Sequence, residues 1–125
     1  MTLRYDAVIL LGHGSRLKSA NEPLLKMAQM ICELLDGVSV YPAYLQLAEP
    51  SVAQSAVNAI GDGAKNIAVM PFFLFPGAHV LEDIPAELEK IAGENNHVKF
   101  TLCSHLGLHP KIAEAAAERI KESLN

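Results

Sequence analysis

The sequence is poor in the residues that mark several classes of protein, and each shortage excludes one class. It has no tryptophan and only two cysteines, Cys32 and Cys103, which lie far apart between apolar neighbours. This spacing argues against a disulfide framework or a CxxC metal site, so we expect two reduced thiols in the core. Only 10 residues are Lys or Arg, and their dispersal argues against a nucleic-acid-binding surface.

Long apolar runs are also missing, although 50% of the residues are hydrophobic. No run reaches the roughly 18–20 residues that a membrane-spanning helix needs. The first residues, MTLRYDAVILLGHG, contain a short apolar stretch that leads to His13 without the small-residue cleavage site of a signal peptide. We therefore expect a cytoplasmic protein without a membrane partner.

The length of 125 residues, with a net charge of −4, indicates one acidic domain. A folded chain of this mass exposes roughly 6,500 Å², about a third of the surface of the unfolded chain, so the core needs no disulfides. We expect residues 1–125 to form this single domain. It would be about 35 Å across, and a large ligand would lie on it rather than inside it.

Short apolar segments rich in β-branched residues alternate with longer segments of helical period, which is typical of βαβ units around a parallel sheet. Asn21 and Ser51 are the predicted N-caps of the first two helices. The segment PFFLFPGAHVLEDIP is too rich in proline and glycine for regular structure. The predicted elements are, in chain order, Ala7–Leu11, Asn21–Leu35, Val38–Tyr44, Ser51–Ile60, Ile67–Met70, Asp83–Ala92, Val98–Cys103 and Pro110–Leu124.

The predicted fold is a three-layer α/β/α sandwich with a four-stranded parallel sheet in the order 2-1-3-4. Pro42 lacks a ladder donor, which places the second strand at an edge. The first and third strands are then central neighbours. Ligands of such sheets bind beyond the carboxyl ends of the strands where the order switches, so we expect the site at that point.

A polar residue able to bind a metal follows each of the first three strands: His13, Glu49 and His79. Neighbouring strands lie about 4.8 Å apart, so the two histidines can reach a common atom. Two imidazoles and a carboxylate suit a first-row transition metal such as cobalt, nickel or iron.

Each of these residues also has a purely structural interpretation. A histidine at a strand end commonly makes only a hydrogen bond, and Glu49 is also a favourable acid before a helix. His97 lies beside two asparagines and is expected in a solvated turn. His105 and His109 follow the fourth strand, either on the rim of the site or as the entry to the last helix.

The phenylalanines Phe72, Phe73 and Phe75 also have two interpretations. They are either core residues under a long loop, or a flat apolar platform that leads to His79 and suits a planar macrocycle. Nucleotide motifs are missing, since GHGSR matches neither the phosphate loop nor the dinucleotide fingerprint. Histidine phosphatases carry an arginine before the catalytic histidine, where this sequence has Gly12.

The segments LLGHGSR, AYLQLAEPS, PFFLFPGAHVLEDIP and LGLHP resemble the short-form CbiX class of sirohydrochlorin chelatases over nearly the whole chain. The resemblance implies insertion of a divalent metal, cobalt first and nickel or ferrous iron as alternatives, into sirohydrochlorin, without ATP or a permanent cofactor. It implies that His13 and His79 bind the metal and that His13 also accepts a proton. The implied substrate contacts are Glu49, Leu74, Phe75, Pro76, Gly77, Ala78 and His79.

The resemblance also bears on the oligomeric state. Long-form members of the class carry two domains of this kind in one chain, called lobes, and this chain carries one. A sheet of four strands is roughly 15–19 Å wide, comparable with a tetrapyrrole, so one copy supplies one wall of the site. We therefore expect a homodimer. Two alternatives stay open: a non-catalytic carrier of tetrapyrrole or metal with the same fold, and a phosphatase of the histidine type.

Overall fold

The structure is a computed structural model that describes residues 5–124. Four parallel strands form one sheet in the order β2-β1-β3-β4, which confirms the predicted α/β/α fold and strand order. The strands are β1 (Ala7–Gly12), β2 (Ser39–Tyr44), β3 (Asn66–Pro71) and β4 (Lys99–Leu102). The helices are α1 (Lys18–Leu34), α2 (Val52–Gly61), α3 (Ala78–Glu94) and α4 (Pro110–Leu124).

The first four residues belong to the segment considered above for a signal peptide, and they lie outside the described residues, as does Asn125. The prediction that 1–125 is one domain therefore stays a prediction at both ends. No helix within residues 5–124 is long and apolar enough to cross a membrane.

The central strand β1 positions the rest of the sheet. All six of its residues are buried, and it pairs in parallel with β2 on one side and β3 on the other. This continuous burial explains the unbroken apolar run of the sequence, because such a strand is covered on both faces. Among the described strands, β2 pairs only with β1 and lies at an edge of the sheet, as Pro42 predicted.

Helices α2 and α3 contribute to the main core. Ser51 caps α2 in a capping box with Gln54, which confirms the predicted cap. The hydroxyl of Ser55, only 1% exposed, donates to the backbone oxygen of Pro42 at 2.7 Å and so satisfies a carbonyl of the edge strand. The buried residues of α3 follow a helical period: Ile84, Leu88 and Ile91.

The prediction that Asn21 caps the first helix is wrong. Helix α1 begins at Lys18, after a Leu17 N-cap that makes no side-chain bond. The side chain of Asn21 instead accepts from the backbone N–H of Ser15 at 2.9 Å and donates to the Ser15 oxygen at 2.8 Å. Asn21 therefore fastens the loop after β1 to the helix, and Pro23 lies in the second turn rather than the first.

The predicted start of the third helix at Asp83 is also wrong, since α3 begins at Ala78 with Gly77 as its N-cap. Pro85 lies inside this helix, where proline ordinarily costs about 3 kcal/mol. Burial of the apolar face outweighs that cost, so the segment expected to be irregular is helical from Ala78 onwards. The predicted substrate stretch is thus divided, with Leu74 to Gly77 in a loop and His79 in the first turn of α3.

The remaining boundaries agree with the predictions to within one residue at each strand end, and α4 has its predicted bounds. The two cysteines are free thiols, as expected, but both are half-buried rather than in the core. Burial raises the pKa of the Cys103 thiol.

Candidate active site

His13 lies at the carboxyl end of β1, and its side chain is exposed. Its ring packs edge-on against Phe73, with the ring centroids 5.0 Å apart and the planes inclined at 66°. Phe73 is only 7% exposed and belongs to the core. One side of the imidazole is therefore held by a fixed ring, while the exposed remainder is open to a ligand.

The loop around His13 depends on Gly14, whose φ of +95° is unfavourable for other residues. A Cβ on Gly14 would lie 1.8 Å from the backbone oxygen of Gln46. The Gln46 N–H donates to the His13 oxygen at 3.2 Å, which holds the loops after β1 and β2 together. Gly14 therefore makes room for the backbone of the loop after β2.

Pairing between β1 and β3 brings the aromatic segment to this edge, since the Phe72 N–H donates to the Leu11 oxygen at 2.8 Å. The structure divides this segment into a buried and an exposed part. Phe73 is core, whereas Phe75 is 80% exposed. Leu74 is 42% exposed, so Leu74 and Phe75 form an apolar surface beside the strand ends.

His79 is the second residue of α3 and is exposed at the edge that also carries His13, because α3 follows β3 and β3 neighbours β1. Within residues 5–124, no group of three or more His, Cys, Asp and Glu side chains is close enough to hold a metal ion. The structure therefore does not assemble a three-donor site from His13, Glu49 and His79 in one chain. Metal binding by the two histidines stays a prediction.

Glu49 lies on the loop after β2, before a cis peptide bond to Pro50. It lines a cavity of about 540 Å³ between this loop and the start of α1, together with Arg16 and Lys18. Both cations line the same cavity as the predicted substrate contact, so the cavity carries both signs of charge. The other residues that line it are Ser15, Asn21, Glu22, Leu25, Tyr44, Leu47, Ala48 and Pro50.

A second cavity, of about 330 Å³, adjoins the first and is lined by His13, Met27 and Phe72, among others. Asn21 and Tyr44 line both cavities and lie between them. The Tyr44 hydroxyl donates to the Asn21 backbone oxygen at 2.9 Å, and burial raises the Tyr44 pKa. His79 lines neither cavity.

Sequence reasoning did not assign Tyr44 or Asn21 to the site. Asparagine near the start of a helical pattern indicates an N-cap, so the sequence predicted a cap at Asn21. Nothing in the sequence indicated its hydrogen bonds to Ser15, six residues earlier. Tyr44 gave no signal beyond its place at the end of a strand. Both roles depend on the packing of α1 against the end of β2, which follows from the fold rather than from a motif.

Two of the other three histidines, His97 and His109, lie where their structural interpretations place them. His97 is exposed in a turn, as predicted. The Nδ1 atom of His109 accepts from the Lys111 backbone N–H at 3.1 Å, at the start of α4, which supports its helix-entry interpretation. His105 is half-buried in the loop after β4.

Taken together, the fold and these side chains define an α/β protein with an open, partly apolar site at the carboxyl edge of a four-stranded parallel sheet. Histidine, carboxylate and aromatic side chains lie along that edge. The CbiX family model matches residues 7–123, and the chain belongs to the CbiX family.

Curated relatives differ in how much of their length this chain covers. A chloroplastic sirohydrochlorin ferrochelatase from Arabidopsis thaliana is 34% identical over 96% of this chain, which spans 53% of that protein. A sirohydrochlorin cobaltochelatase from Methanopyrus kandleri is 33% identical over 94% of this chain and 96% of its own length. The chain thus spans about half of one relative and nearly all of the other.

Solved structures show the same fold. A cobalamin (vitamin B12) biosynthesis CbiX protein from Marinobacter aquaeolei superposes with a TM-score of 0.82 at 33% identity, covering 94% of this chain and 96% of that one. SirB from Bacillus subtilis, solved with Fe³⁺, has a TM-score of 0.79 at 28% identity, covering 93% of this chain and 46% of that one. The four-stranded lobe described here therefore occurs both alone and within a longer chain.

Proposed function

We propose that this protein is a sirohydrochlorin chelatase that inserts a divalent metal ion into the macrocycle without ATP. One observation carries the proposal: His13 stands at the carboxyl edge of the central strand, held by Phe73 on one side and exposed on the other. The names of the relatives, which include cobaltochelatases and ferrochelatases, support the same reaction.

The reaction requires a group that can bind either a metal or a proton. Insertion removes two pyrrole N–H protons and places the metal between the ring nitrogens. The lone pair of a neutral imidazole can bind either the metal or a proton. His13 is the proposed proton acceptor. His79 is the proposed metal-binding partner, and His13 also contacts the metal before it enters the ring.

The proposed substrate contacts are Glu49 and the stretch from Leu74 to His79. The exposed side chains of Leu74 and Phe75 present an apolar surface for the flat face of the macrocycle. Burial of such a ring against apolar side chains contributes roughly 25 cal/mol per Å². Pro76, Gly77 and Ala78 bring this surface to the first turn of α3, where His79 stands.

The net negative charge of the protein repels a substrate with many carboxylates. Arg16 and Lys18 supply positive charge near the site. Both line the cavity that holds Glu49, next to the cavity with His13. We propose that these cations bind substrate carboxylates at the rim. Such local compensation acts at short range, so it works despite a net charge of −4.

Cobalt is the proposed first metal, with ferrous iron and nickel as alternatives. Imidazole accepts all three, and the relatives include enzymes named for cobalt and for iron. The metal is a substrate of the reaction, and we propose no permanent cofactor. The cytoplasmic location stays a prediction from the sequence.

We also propose a homodimer, in which a second copy completes the site. One sheet presents one wall, and the two cavities beside it are open. The relatives that match along half of their length carry additional chain, which a second copy of this chain would replace.

The purified full chain, mixed anaerobically with sirohydrochlorin and Co²⁺, Fe²⁺ or Ni²⁺, tests this function by its absorbance spectrum. We expect several equivalents of metallated product per protein, with the highest rate for cobalt. A non-catalytic carrier would give at most one equivalent of bound tetrapyrrole without turnover. Hydrolysis of a generic phosphoester without metal insertion would favour the phosphatase instead.

A further inference from the structure

The loop that carries His13 is held by two hydrogen bonds to a single side chain. The amide of Asn21 accepts from the Ser15 backbone N–H at 2.9 Å and donates to the Ser15 backbone oxygen at 2.8 Å. Both backbone groups of one residue are thus bound to one planar amide, which fixes the peptide planes on either side of Ser15. His13 lies two residues before this point and Arg16 lies one residue after it.

Tyr44 connects this pair to the loop that carries Glu49. The Tyr44 hydroxyl donates to the Asn21 backbone oxygen at 2.9 Å, and the Tyr44 backbone N–H donates to the Pro50 oxygen at 2.9 Å. Tyr44 is only 5% exposed, so the packing around its ring leaves it little freedom to move. We call the three hydrogen bonds that join Ser15, Asn21 and Tyr44 the Asn21 bridge. This bridge ties the ends of β1 and β2 to the first turn of α1.

The Asn21 bridge lies between two cavities of different chemistry, and all three of its residues line both cavities. The smaller cavity is lined by His13, the proposed proton acceptor, and the larger by Arg16, a proposed contact for substrate carboxylates. Burial raises the pKa of the Tyr44 hydroxyl, which therefore stays protonated and donates to the bridge at neutral pH. The bridge thus joins the part of the site that takes protons to the part that holds the substrate.

We propose that Asn21 and Tyr44 are positioning residues of the chelatase reaction, which fix the backbone of His13 so that its imidazole meets the pyrrole N–H groups. This inference rests on the proposed function and adds two residues to it. Phe73 holds the imidazole ring from one side, whereas the Asn21 bridge holds the loop that carries the ring. The macrocycle is rigid, so the proton acceptor has to be in place before the macrocycle binds. A displacement of about 1 Å can lower a rate by about 10²-fold.

Steady-state kinetics and equilibrium binding on the purified full chain test this assignment. Asn21→Ala removes both bonds to Ser15 and should lower kcat by about 10–100-fold. Tyr44→Phe removes only the bond from the hydroxyl and should lower kcat roughly two- to tenfold. The Kd for metal-free sirohydrochlorin, measured by fluorescence, should stay close to the wild-type value in both variants. This split is expected because neither side chain is a proposed contact of the carboxylates.

Ser55→Ala is the matched control for stability. The Ser55 hydroxyl is buried and donates to the Pro42 oxygen of the same edge strand at 2.7 Å, but Ser55 lines neither cavity. This variant should lower the free energy of unfolding and keep the wild-type kcat. Equal kcat values in Asn21→Ala and Ser55→Ala, or a loss in Asn21→Ala that is confined to Kd, would overturn the proposal.

The NMR spectrum of the imidazole protons tests the Asn21 bridge without turnover. His13 lies beside the ring of Phe73, whose ring current displaces the His13 signals from ordinary histidine positions. The signals missing from His13→Ala identify them. In Asn21→Ala they should move towards the ordinary positions, and in Ser55→Ala they should keep their wild-type positions. Unchanged His13 signals in Asn21→Ala would overturn the proposal.

The two failures are distinguishable because the NMR measurement contains no metal and no sirohydrochlorin. A wild-type chain without turnover would contradict the chelatase proposal, and the His13 signals would still show whether the Asn21 bridge holds the loop. Wild-type turnover with an unaffected Asn21→Ala variant would contradict the positioning role alone.

Discussion

The imidazole of His13 meets the ring of Phe73 edge-on at a centroid distance of 5.0 Å. The two residues come from adjacent strand ends, and hydrogen bonding between Phe72 and Leu11 brings those ends together. Phe73 is thus a positioning residue: it belongs to the core, and through its ring it limits the orientations available to the proposed proton acceptor.

Replacing Phe73 by leucine tests this positioning. Edge-to-face aromatic pairs contribute about 0.5–1.5 kcal/mol beyond burial, so Phe73→Leu should lower kcat by up to about tenfold. KM for sirohydrochlorin should change little, because the substrate does not contact this buried ring. Phe100→Leu, which loses a partly buried ring packed on the same core, is the control for stability alone. Equal kcat values in the two variants would contradict the positioning role.

Gly14→Ala should damage both the fold and the site. The new Cβ would meet the Gln46 oxygen at 1.8 Å, and the φ of +95° is strained for alanine. We expect a loss of at least about 1–3 kcal/mol in the free energy of unfolding. Gly93→Ala is the control, since its Cβ meets nothing within 4 Å in α3 and should stabilise by about 0.5–1 kcal/mol. Urea unfolding measures both, and equal stabilities would refute the account of this loop.

Charge removal at Arg16 and Lys18 should raise KM for sirohydrochlorin and leave kcat largely unchanged, because these cations bind the substrate away from the reacting nitrogens. Charge-assisted hydrogen bonds contribute about 1.5–3 kcal/mol, which predicts a rise of at least about tenfold for Arg16→Gln/Lys18→Gln. The rise should shrink as salt screens the interaction. Lys26→Gln, on α1 but outside the cavity, should keep the wild-type KM. A KM unaffected by the double substitution would contradict the carboxylate contacts.

Alkaline stability should depend on Tyr41. Burial, together with the hydrogen bond and charge of Asp62, raises the Tyr41 pKa from 10.0 to about 12. Because the folded pKa lies above the unfolded one, the stabilisation is complete below pH 10 and is lost as pH rises to about 12. Tyr41→Phe should therefore lose less stability across this window than wild type in urea unfolding at each pH. Identical pH dependence would contradict the shift.

The sequence predicted those parts of the fold in which the local pattern of residues agrees with the final tertiary structure. The apolar run Ala7–Leu11 predicted a strand, and Pro42 predicted an edge strand, because each signal depends on the strand's own residues. The order of the sheet followed from the handedness of its connections. The positions of His13 and His79 at one edge of the sheet followed from that order.

The mistakes arose where a distant partner decides the structure. Asn21 has the side chain of a helix cap, but its hydrogen bonds go to Ser15, six residues earlier. The proline and glycine content of PFFLFPGAHVLEDIP suggested an irregular segment up to Asp83, but the structure is helical from Ala78, and Ile84 and Leu88 of that helix are buried. The contact of His13 with Phe73 requires the register of two strands, which no single segment of sequence contains.

The roles of His13 and His79 are the central claim, and the rate of cobalt insertion into sirohydrochlorin tests them most directly. Purified His13→Ala and His79→Ala are compared with His97→Ala, whose imidazole is exposed in a turn outside the site. We predict that His13→Ala loses about 10²–10⁴-fold in kcat, the usual contribution of a general base, and that His79→Ala loses a comparable factor. His97→Ala should retain the wild-type rate. Wild-type rates in both His13→Ala and His79→Ala would contradict the account.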